Sequence, residues 1–202
     1  PWGNEHERTL AVRAGVLAVR AQAGDTSDIG GIGAIVRTGV AGEHLVLLAD
    51  SNVGATVGIS DRRPKDPFDR IGEADRLVTK LIGARDYRVE WAEYTKQLAE
   101  WEKKVAERLA ELEKDFKKAQ KARDKDIEDA KKKGDAHKEK EYKEDKRPKA
   151  PKFDAEKETL ARVVAGELPL FVRCDGVAEL RALLAGTVDF PRLRLVIVGG
   201  VG

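Results

Sequence analysis

The sequence predicts an α/β body interrupted by a long, charged helical arm. Two observations carry the body. Short aliphatic runs such as Leu45-Val46-Leu47-Leu48-Ala49 and Leu193-Arg194-Leu195-Val196-Ile197-Val198 alternate with helical patterns. Continuous apolar strands of this kind suit a parallel sheet covered on both faces. A third observation carries the arm. The 202 residues are 37% charged, against about 25% in a typical globular domain, and the excess lies between Asp86 and Lys157.

Taken in order, Thr9 to Ala14 reads as a helix end stopped by Gly15, and Val16 to Arg20 as a short strand. Ala23 to Gly33 reads as a loop. Ala34 to Arg37 and Leu45 to Ala49 read as strands, the second ending at Asp50. Ser51 to Asp66 reads as irregular. A helix then opens with Asp66 as N-cap and Pro67 at its first position. Its apolar face comprises Ile71, Ala74, Leu77, Val78, Leu81 and Ile82.

The arm carries Trp91, Tyr94, Leu98, Trp101, Val105, Leu109, Leu112 and Phe116 at spacings of three or four, a coiled-coil type of seam. A helix from Trp91 to Lys133 would be on the order of 60 Å long at 1.5 Å per residue. The residues after Gly134 would have to be almost fully extended to return over that distance. A charged helical hairpin turning between Gln120 and Asp135 is therefore expected, with a mobile tip. The predicted division is a body at 1–85, an arm at 86–150 and a second body segment at 151–202.

After Pro148 and Pro151, Ala155 to Ala165 reads as a helix stopped by Gly166. Leu168 to Cys174 is a strand, Val177 to Ala185 a helix ended by Gly186, and Leu193 to Val198 the last strand. This βαβ run predicts two parallel strands.

Charge and composition narrow the function classes. Lys+Arg 38 against Asp+Glu 36 leaves a net charge of +2. The two signs interleave, whereas nucleic-acid binders present a one-signed basic surface; no nucleic-acid partner is expected. No run approaches the ~20 apolar residues of a membrane helix, and none is expected. The single Cys174 allows no intramolecular disulfide. The chain has no Met and begins at Pro1, so it reads as a piece of something larger.

Candidate sites are few. Gly30-Gly31-Ile32-Gly33 lacks the third glycine and the following helix of a dinucleotide fingerprint, so it reads as a loop with special backbone angles. His6, His44 and His137 are scattered, and no local arrangement of them suits a metal. Arg173 and Asp175 stand at the C-terminal end of a strand, the edge where parallel α/β folds bind ligands. Asp50 is expected at a similar strand end. These three are the candidate substrate-binding residues; the competing and favoured reading is that Asp175 caps the next helix and Arg173 pairs with it. Cys174 reads as a small buried hydrophobe. Trp91, Trp101 and Phe116 are the candidate anchors for a protein partner, or for self-association, through the arm.

Four segments carry a family resemblance. They are Leu10-Ala11-Val12-Arg13-Ala14-Gly15-Val16, the stretch from Gly24 to Gly33, Ala84-Arg85-Asp86-Tyr87 with Trp91 and Tyr94, and the stretch from Leu160 to Pro169. In order and spacing they resemble imidazolonepropionase-related members of the amidohydrolase superfamily. The resemblance implies a (β/α)8 barrel, here partial or degenerate, and hydrolysis of C–N bonds in cyclic amides, amidines or dipeptides. It also implies a divalent metal, usually zinc. The family's first-strand His-x-His would precede Pro1 and its late Asp would follow Gly202. Its mid-barrel His falls in Leu170-Phe171-Val172-Arg173, where this chain has Arg173. The family's Thr-Thr pair is replaced by Leu17-Ala18. Arginine is a fixed cation and not a metal ligand, so no metal-ligand set is expected within this chain and activity is expected to be impaired. The alternative is a non-catalytic scaffold that uses the arm.

Overall fold

The computed structural model describes residues 5–22, 28–39, 45–58, 67–129 and 146–199. They form two compact units, Pro1–Arg88 with Phe153–Gly202, and Val89–Lys152.

The first unit holds a five-stranded mixed sheet in the order β1 (Ala18–Ala21), β2 (Ile29–Arg37), β3 (Val46–Val57), β4 (Leu170–Cys174), β5 (Leu195–Val198). The pairs β1·β2 and β2·β3 are antiparallel, while β3·β4 and β4·β5 are parallel. The expected βαβ run is thus present, as β4, helix α4 (Val177–Gly186) and β5. The antiparallel half departs from the all-parallel expectation.

Alternation sorts the strand residues onto two faces. Val53, Ala55 and Val57 of β3 and Leu170, Val172 and Cys174 of β4 form the buried face. Ala74, Leu77, Leu81 and Ala84 of helix α2 (Pro67–Asp129) belong to the same core, with Leu160 and Val163 of α3 (Ala155–Val164) and Leu183 of α4. The predicted apolar face of α2 is buried at these positions, but Ile82 is 39% exposed. Gly186 of α4 is needed where α2 approaches, because a Cβ there would lie 2.6 Å from Val78 Cγ2. Asp154 caps α3 by accepting from the amides of Glu156 and Lys157.

Two sequence expectations are corrected. Gly30 to Gly33 lie inside β2 and not in a loop, although Gly31 does have a positive φ of 86° at a register shift. Ser51 to Val57 continue β3 where an irregular segment was expected. α2 runs unbroken through Gly83, joining the predicted body helix to the first part of the arm. Of the turn expected between Gln120 and Asp135, the part up to Asp129 is helical; the rest, the expected returning segment up to Asp145 and the Asp66 cap lie outside the described residues.

In the second unit, Trp91, Tyr94, Leu98, Trp101, Val105 and Leu112 are half-buried, while Leu109 and Phe116 are exposed. Trp91 and Tyr94 meet edge to face with ring centres 5.7 Å apart. No described helix is long and apolar enough to cross a membrane.

Candidate functional site

The sheet face opposite the helical core carries a different set of side chains. From β4 come Phe171 and Arg173, with Asp175 two residues on; from β3, Thr56; from β1 and its end, Arg20 and Gln22. Together they line a cleft of ≈ 470 Å³, within the size range of small-molecule sites. Gly199, just after β5, closes one side.

The cleft exists because the sheet curls. β1 and β4 are separated by two strands, or about 14 Å in a flat sheet at 4.7–4.9 Å per strand. Yet the Arg20 guanidinium lies 4.3 Å from the centre of the Phe171 ring. On a concave face the two side chains meet without lying flat across the strands between them.

Glycines make room for the side chains that cross this face. Gly33 pairs with Asn52, and Gln22 reaches across Gly33 to accept a 2.5 Å hydrogen bond from Asn52 Nδ2 at its Oε1. A Cβ at Gly33 would stand 2.5 Å from Gln22 Oε1 and 2.6 Å from Asn52 Oδ1. A Cβ at Gly54 would stand 2.6 Å from Gln22 Cδ. Gln22 Nε2 also donates to the Gly31 carbonyl at 2.9 Å, and Ser51 Oγ donates to Asn52 Oδ1 at 2.7 Å. Asn52 is fully buried, and this chain of bonds satisfies its amide on both sides. It also fixes which end of the Gln22 amide is the donor.

Of the three predicted substrate-binding residues, the structure brings two together. Arg173 and Asp175 both line the cleft. Asp175 is not the cap of α4: Gly176 is the N-cap, with no side-chain cap bond. Asp50 is elsewhere. It lies within β3, three residues before Val53, which pairs with the first residue of β4. It therefore sits about 10 Å beyond the opposite end of the parallel strands at 3.3 Å per residue. There it takes a 2.8 Å ion pair from Arg162 of α3. Cys174 faces the core, and burial is the main cause that pushes its thiol pKa up.

Arg20, Gln22 and Phe171 were not foreseen. A signal existed for the first two: Arg20 and Gln22 are polar residues two apart at the end of an apolar strand, the period of one sheet face.

No protein-family model matches the chain, and no curated sequence matches it. The crystal structure of an amidohydrolase from Thermotoga maritima MSB8 superposes on it with a TM-score of 0.52 and 18% identity, covering 97% of this chain. The fold is amidohydrolase-like. The chain spans 39% of that protein's length, and its five strands correspond to a partial barrel. In such a barrel the concave face is the inner one, and the ligand edge is the C-terminal end of the strands. Arg173, Asp175 and Gly199 occupy that edge here. Among the described residues, no three His, Cys, Asp or Glu side chains converge as a metal site requires. The described residues of this cleft therefore do not fit the divalent metal that the resemblance implies.

Proposed function

We propose that this chain is part of an imidazolonepropionase-related amidohydrolase-like barrel in which metal-dependent C–N hydrolysis is impaired and ligand binding is retained. The observation that supports it is Arg173. It stands where the family pattern has a metal-binding His, and it lines the cleft. Guanidinium forks suit carboxylates, and Arg20 adds a second positive charge on the same concave face. The ligand in this reading is a small molecule bearing a carboxylate, drawn to the two arginines.

A calorimetric titration with propionate tests it. The Arg20→Gln/Arg173→Gln double variant is expected to bind at least about tenfold more weakly, as the loss of ~1.4 kcal/mol would give. Unchanged affinity would contradict the reading.

A second reading rests on the arm. Leu109 and Phe116 lie in the apolar seam and are 57% and 65% exposed. In this reading the arm engages a second copy or another protein, with Trp91, Trp101 and Phe116 as anchors. Deleting Lys96 to Lys146 and measuring mass in solution tests self-association, which an unchanged mass per particle would exclude.

A further inference from the structure

We infer that Gln22 makes the cleft select a carboxylate with a second acceptor oxygen beside it, a 2-oxo acid in the simplest form. This rests on the carboxylate-binding reading above and adds what the ligand carries next to its charge.

A backbone group sets the direction of the Gln22 amide. The Gly31 carbonyl can only accept a hydrogen bond, so the Gln22 atom 2.9 Å from it is the nitrogen, Nε2. The amide oxygen then faces Asn52, which answers with its own nitrogen at 2.5 Å. Asn52 Oδ1 in turn accepts from Ser51 Oγ at 2.7 Å. Turning the Gln22 amide over would set its oxygen against the Gly31 carbonyl and its nitrogen against Asn52 Nδ2. Asn52 is fully buried, so that mismatch would go unrelieved. Gln22 therefore holds one orientation.

That orientation leaves one group for the cleft. Nε2 carries two hydrogens, and Gly31 takes one of them. Among the described residues nothing accepts the second. Gln22 lines the cleft, and so does Gly54, where a Cβ would stand 2.6 Å from Gln22 Nε2. The amide nitrogen thus lies over the cleft floor and offers it a donor.

The positive charge lies beside this donor. Gly54 pairs with Phe171 across β3 and β4, neighbouring strands about 4.8 Å apart. The Arg20 guanidinium stands 4.3 Å from the centre of the Phe171 ring. Stacking on the ring leaves its in-plane N–H donors available for a carboxylate. The Gln22 donor and the Arg20 cation therefore flank the same aromatic ring. A carboxylate drawn to Arg20 brings its neighbouring atom toward Gln22. A 2-oxo oxygen there accepts the N–H. A methylene leaves the donor unpaired, and a 2-ammonium sets donor against donor.

The test uses the intact chain and three acids of equal carbon count: pyruvate, propionate and L-alanine. By calorimetric titration pyruvate is expected to bind at least about fivefold more tightly than propionate, and L-alanine no more tightly than propionate. Gln22→Ala is expected to abolish the preference for pyruvate over propionate, a ratio that a general loss of stability would not move. Should that variant fail to fold, the Gln22 side-chain amide resonances of the parent chain decide, since pyruvate is expected to shift them more than propionate does. Equal shifts, equal affinities of pyruvate and propionate, or tighter binding of L-alanine would overturn selection by Gln22 and leave the carboxylate reading standing. No binding of any of the three would overturn both.

Discussion

Gln22 follows β1 and Asn52 lies on β3, two strands that are not neighbours in the sheet, and their side chains meet over Gly33 at 2.5 Å. That contact explains why position 33 is glycine. The first prediction follows from it. Gly33→Ala pushes the two amides apart and leaves a buried Asn52 group unpaired. An unsatisfied buried group costs roughly 1–3 kcal/mol, so chemical denaturation should show a loss of that size. Gln22→Ala removes the same bond, so the double variant should lose less than the sum of the singles. Strict additivity would show that the two positions are not coupled.

Asp50 provides a contrasting case. Its pair with Arg162 is short, but the two side chains are 47% and 35% exposed. Pairs of this kind contribute about 0–1 kcal/mol. Asp50→Ala should leave ligand affinity unchanged and lower stability by no more than that. A tenfold loss of binding would place Asp50 in the site after all.

Cys174 sets a pH dependence. Burial raises its thiol pKa above the ordinary value of 9.0, opposed by a backbone hydrogen bond at Gly176 and helped by the nearby Glu179 and Asp175 charges. The folded state therefore keeps its proton where the unfolded chain releases it. The associated stability is fully present below the unfolded pKa and is lost as pH rises from there through the folded value. Denaturation above pH 9 should show the parent chain losing stability faster than Cys174→Ala. Parallel pH profiles would contradict this.

Parts of this architecture were legible in the sequence because they depend on local pattern. The stop at Gly166 is one: its φ is 80°, and a Cβ would sit 2.6 Å from the Arg192 carbonyl. The α2 face and the β4–α4–β5 run are others, since their apolar periods match their burial. What misled was the concave face. Gly31, Gly33 and Gly54 read as loop residues, as do Ser51 and Asn52, because strand propensity describes a pleated surface covered by side chains. Here Gly33 and Gly54 leave the inner face clear where Gln22 crosses it, and Gly31 takes a positive φ. That same property hid Arg20 and Phe171, whose meeting depends on the curl of four strands and on nothing local. Asp50 was misplaced for a related reason: the strand was ended at the first polar residue, although it continues to Val57.

The central claim is that this amidohydrolase-like body binds a ligand without metal-dependent hydrolysis. Its most direct test is elemental analysis of the purified chain, combined with hydrolysis assays on dipeptides and cyclic amides with and without added zinc. Metal well below one equivalent per chain and no zinc-dependent turnover are expected. Stoichiometric zinc, or turnover that appears with zinc and vanishes with a chelator, would contradict it.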